Sequence, residues 1–192
     1  DGDYIYAAGH TYSEGQGGYD ALLVKFNKAD LSIAAKKVYD GSGEACFHPV
    51  HADGDYIYAA GHTYSEGQGG NDALLVKFNK ADLSIATRKV YGGSSTDHFH
   101  SVYAEGDYIY AAGYTGSEGQ GSDDALLVKF HKADLSIAAR KVYGGSSSDY
   151  FYSVYAEGDY IYAAGYAYSE GQGSDDALLV KFHKSLPSGS YT

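Results

Sequence analysis

A chain of 192 residues with 22 tyrosines, 26 glycines, no methionine and no tryptophan favours pleated, aromatic-rich strands punctuated by turns over helices. Its net charge of −11 argues against a nucleic-acid partner, which needs clustered Lys and Arg to neutralise phosphates. The longest apolar runs, such as Ala125 to Val128, fall far short of the roughly 18 residues a membrane helix requires, and Cys46, the single cysteine, has no partner for an internal disulfide.

The stretch GDYIYAAGYTGSEGQGSDDALLVKF, Gly106 to Phe130, recurs with few changes from Gly2, Gly54 and Gly158, a spacing of 52 residues. A fixed period of that order signals a repeat architecture in which each copy is one supersecondary unit. The chain therefore reads as a single domain over 1–192, with repeats at 1–52, 53–104, 105–156 and 157–184 and an irregular tail over 185–192. With Asp1 inside a repeat and no initiator residue, it reads as processed or cut from something longer.

In chain order, the third copy predicts strands over Asp107 to Tyr114, Ala125 to Phe130 and Ile137 to Tyr143, followed by Tyr150 to Tyr155 at the start of the next copy. Glu105-Gly106, with Asp53-Gly54 and Glu157-Gly158, predicts a tight hairpin, and Asn79 to Asp82 a short link. The longer link Gly144 to Asp149 can cross from one sheet to the next. Along the strands neither face is polar: Tyr108, Tyr110 and Ala112 oppose Ile109 and Ala111, while Leu126, Val128 and Phe130 oppose Ala125 and Leu127. A sheet apolar on two faces must be covered on both, and without helices the cover is other sheets. The expected fold is an all-β propeller of four-stranded antiparallel blades. Arg140 and Lys141 mark the outer edge strand, where charge discourages edge pairing. The copies supply fourteen strands where complete blades need sixteen, so the array is incomplete at both ends. The open strand edges are expected to take other copies of the chain or further sequence.

The patterns GDYIYAAGYT, DALLVKF and KVYGGSSSDY resemble the tandem repeats of the SBBP-type β-propeller family of prokaryotic secreted and cell-surface proteins. The resemblance covers all but the tail. It implies a propeller fold and an extracellular or cell-surface location, and it brings no catalytic set.

Three groups of residues are candidates for chemistry. The link SEGQGxxD ends in Asp20, Asp72, Asp124 and Asp176; its glycines and carboxylate suit a calcium turn, weighed against a plain hairpin loop. Histidines gather at His48, His98 and His100, where later copies carry tyrosine, so a metal site is weighed against an aromatic lining. Tyr12, Tyr64 and Tyr168, with Glu14, Glu66, Glu118 and Glu170 and with Gln16, Gln68, Gln120 and Gln172, offer rings and carboxylates to a sugar in several copies. No serine stands in a nucleophile elbow and no acid pair converges, so no enzyme is expected. The expected function is a self-assembling structural scaffold completed into a ring or filament by inter-chain contacts, with a multivalent carbohydrate-binding module as the alternative.

Overall fold

A computed structural model describes residues 2–16, 18–39 and 43–186; the predicted tail beyond Leu186 lies outside the described residues. All regular structure among them is β. The strands are β1 (Tyr4–Thr11), β2 (Asp20–Asn27), β3 (Ile33–Tyr39), β4 (Ala45–Asp53), β5 (Tyr56–Thr63), β6 (Asp72–Asn79), β7 (Ile85–Tyr91), β8 (Asp97–Glu105), β9 (Tyr108–Thr115), β10 (Asp124–His131), β11 (Ile137–Tyr143), β12 (Asp149–Glu157), β13 (Tyr160–Ala167) and β14 (Asp176–His183). They form four antiparallel sheets in sequence order, β1-β2-β3, β4-β5-β6-β7, β8-β9-β10-β11 and β12-β13-β14. Among the described residues, the first sheet lacks the strand that β4, β8 and β12 supply to the others, and the last lacks the one that β3, β7 and β11 supply.

Local chemistry explains the connections. Glu105 pairs with Tyr108, so the tight turn is Gly106-Asp107, one residue later than the sequence predicts. Gly106 sits at φ 55° in the first turn position, and Asp107 is not left-handed, which is the II′ arrangement that requires glycine first. After β6, Leu83 closes its turn by donating its N–H to the Asn79 carbonyl at 2.9 Å. Its φ of 57° is unusual for leucine, and the same turn recurs with the same hydrogen bond at Leu31, from its N–H to the Asn27 carbonyl at 2.9 Å.

The apolar faces pack as the alternation requires. Each sheet has a front, which in the second sheet carries Ile57, Ala59, Leu74, Val76 and Phe78, packed with Ala21, Leu23 and Tyr39 of the sheet before. Its rear carries Tyr58, Ala60, Ala73 and Leu75, packed with Phe99, Ile109, Leu126 and Val128 of the sheet after. The third joint repeats the scheme with Tyr110, Ala112 and Leu127 against Phe151, Ile161 and Leu178. The strand β8 also neighbours β4 on one side and β12 on the other, while β11, with Arg140 and Lys141, forms the opposite edge of its sheet.

Candidate metal centre

The candidate site lies on β4, β5 and β8, next to a bulge that recurs in β4, β8 and β12. Between Phe99 and Ser101 the ladder of β8 with β9 slips by one residue, leaving His100 extra. The same slip in β12 falls at Tyr152 and in β4 at His48-Pro49. Proline is tolerated there because β4 is an edge strand. A bulge re-aims the extra side chain, and opposite each one stands a glycine, since a Cβ at Gly61 or Gly113 would lie 1.9 Å from the Cys46 or His98 carbonyl oxygen.

Two lines of side chains result. One crosses the joints as pairs: His10 Nδ1 meets Cys46 Sγ at 3.2 Å, His62 stacks on His98 at 4.0 Å and 9°, and Tyr114 meets Tyr150 edge-on at 4.9 Å. The other runs along the bulges, with His48 at 5.4 Å from His100 and His100 stacked at 4.7 Å on Tyr152. The composition shifts along the stack from thiol and imidazole to phenol.

Where the lines meet, ring nitrogens of His48, His62 and His98 all lie within 4.8 Å of one another. His48 Nε2 is 3.3 Å from His62 Nδ1, and His98 Nε2 is buried with no hydrogen-bond partner. Burial, reinforced by the neighbouring imidazoles, pushes His98 down to about 3 and His62 and His100 down to about 4. These three are neutral at pH 7, with lone pairs free to donate. Burial pushes the Cys46 thiol up. A cavity of about 300 Å³ opens beside the cluster, lined by His10, Tyr19, Glu44, Ala45, Cys46 and His62.

Of the sequence-predicted metal ligands, His48, His98 and His100 come together, and His62, His10 and Cys46 stand beside them. The hairpin alone gave no signal for Cys46: counted from the pair Asp53↔Tyr56 its register sets Phe47 opposite His62, and the one-residue bulge at His48-Pro49 brings Cys46 there instead. Asp20, Asp72, Asp124 and Asp176 instead stand apart at the first positions of β2, β6, β10 and β14. Asp72 accepts the Gln68 N–H at 3.0 Å, and Asp124 accepts those of Gln120 and Gly121 at 3.0 and 2.9 Å, so each carboxylate clasps its own loop. A Cβ at Gly92 would lie 2.0 Å from Asp72 Oδ1 and 2.7 Å from Asp97 Oδ2, which places two buried carboxylates around one glycine.

The residues considered for sugar binding are spread over four loops. Tyr12 and Tyr64 are exposed, and Tyr12 packs edge-on against Tyr19 at 5.4 Å. The glutamates are engaged with the protein. Glu66 accepts from Tyr39 and pairs with Arg88 at 3.0 Å, while Glu118 accepts from Tyr91 at 2.8 Å and pairs with Arg140 at 2.9 Å. Glu170 accepts from Tyr143 at 3.0 Å, and Glu14 pairs with Lys36 at 2.6 Å. Three of these contacts tie a loop to the last strand of the preceding sheet, so a sugar hydroxyl would have to displace them. Gln16 and Gln172 lie in the corresponding loops before β2 and β14.

Comparison with protein-family models and with curated protein sequences finds no match to this chain.

Proposed function

We propose that the chain is a non-catalytic β-propeller scaffold, extracellular or on the cell surface, whose stack of sheets is continued by a second copy of the chain. The observation that carries this reading is a pair of bare, matching faces. Leu179 on the rear of the fourth sheet is 72 % exposed, whereas Leu75 and Leu127 at the same position are fully buried. Ile5 on the front of the first sheet is 41 % exposed, whereas Ile57, Ile109 and Ile161 are fully buried. Every internal joint sets one such rear against one such front.

Polar contacts at the internal joints support the same docking. Lys77 Nζ donates to the Lys132 carbonyl and Lys129 Nζ to the Lys184 carbonyl, each at 2.8 Å. Asp53 pairs with Lys132, and Glu105 with Lys184. Lys181 and Glu157 occupy the matching positions on the fourth sheet, and Lys28 occupies that of Lys132 and Lys184 on the first. Docked in the internal register, Lys181 of one copy would reach the Lys28 carbonyl of the next, and Glu157 would pair with the Lys28 ammonium. The contact is heterologous, so it closes into a ring if the rotation allows and otherwise grows into a filament. It lacks the aromatic contributed by Phe47, Phe99 and Phe151 at the internal joints, which makes it the weakest joint in the stack. The location is what the resemblance to the SBBP-type repeats implies.

Sedimentation velocity across a concentration series, with electron microscopy of the largest species, tests the reading. Concentration-dependent association that Leu179→Asp abolishes is expected. A monomer at every concentration, or association indifferent to Leu179→Asp, would overturn it.

A further inference from the structure

Independently of assembly, we propose that His48, His62 and His98 form one binding site for a borderline divalent transition-metal ion, of which zinc is the probe of choice. Zinc bound tetrahedrally at about 2.0–2.1 Å holds two nitrogen ligands roughly 3.4 Å apart. His48 Nε2 and His62 Nδ1 are already 3.3 Å apart, and the third imidazole brings a ring nitrogen within 4.8 Å of both. A hydrogen bond between the first two would account for that distance alone, but it leaves His98 Nε2 buried without a partner, which costs free energy that a metal bond would remove. Three imidazole nitrogens and no carboxylate disfavour a hard cation such as calcium or magnesium and suit zinc, copper or nickel. His48 is the exposed member, and the ion enters from its side, where water completes the coordination.

Among the described residues the site occurs once. At the next joint the corresponding positions are His100, Tyr114 and Tyr150, and phenols at neutral pH are poor ligands beside imidazole. Cys46 is not a ligand of this centre: its sulfur is engaged by His10 Nδ1 at 3.2 Å and faces the Phe47 carbonyl oxygen at 3.5 Å.

The repeat supplies its own fold-compatible variants, because Tyr114 and Tyr150 stand where the second and third sheets carry His62 and His98. Isothermal titration of the full chain with zinc chloride should give one ion per chain. His62→Tyr and His98→Tyr should each weaken binding by about tenfold or more, with unchanged circular dichroism. Cys46→Ser and His183→Asn should leave affinity and stoichiometry as they are. Should either tyrosine variant misfold, His48→Tyr at the exposed position decides in its place. No saturable zinc binding, binding retained in the histidine variants, or loss of binding in Cys46→Ser would each overturn the assignment.

Discussion

Gly113 faces His98 so closely that a Cβ on the glycine would lie 1.9 Å from the His98 carbonyl oxygen, whereas the equivalent Gly9 has nothing within 4 Å. The difference comes from β8, which the third sheet has and the first sheet has no counterpart for. Gly113→Ala is therefore expected to cost about 3 kcal/mol, because it presses on backbone at the bulge. Gly9→Ala should change stability by less than about 0.5 kcal/mol. Urea unfolding of the two variants checks the contrast.

Leu31 and Leu83 make the same turn at the same φ of 57°, yet Leu31 is 63 % exposed and Leu83 is 1 % exposed. Glycine at either position relieves the left-handed strain, worth about 1–2 kcal/mol, but adds backbone freedom to the unfolded chain. Only at Leu83 does it also empty a packed site, a loss of about 2–5 kcal/mol. Leu83→Gly should lower the thermal midpoint clearly and Leu31→Gly should leave it nearly unchanged, by calorimetry at dilutions where the chain is monomeric.

Asp72 is pushed up to about 6, first by burial and then by the Asp97 carboxylate, against the Gln68 N–H that favours its charged form. Between about pH 4 and 6 the folded chain holds a proton that the unfolded chain has released, so folding stability falls as pH rises through that window. Asp72→Asn should be more stable than the parent at pH 7.5 and should lose that advantage at pH 4. Urea midpoints at the two pH values measure it.

Much of this fold was legible in the repeats. The period, the fourteen strands and the two apolar faces follow from side-chain alternation, which a reader can count along one strand. What alternation cannot give is the meeting of strands from different sheets. His62 and His98 stack because a bulge bends β8 and a glycine admits it, and no spacing within one strand reveals that. The glutamates show the same limit. Glu66 and Glu118 read as free carboxylates in exposed loops, but the stagger between sheets brings Tyr39 and Tyr91 to them. Even pairing within a hairpin was open to inspection only as far as the bulge: counted from the turn at Gly54 it sets Phe47 opposite His62, and the slip at His48-Pro49 puts Cys46 there.

The most direct measurement of the continued stack is a charge-reversal cycle at the proposed joint, read by sedimentation velocity. Glu157→Lys alone and Lys28→Glu alone should each weaken association, and the two together should restore it toward the parent value, because the pair is remade with its signs exchanged. Association identical in all four proteins, or a double variant no better than its components, would contradict docking of the fourth sheet onto the first.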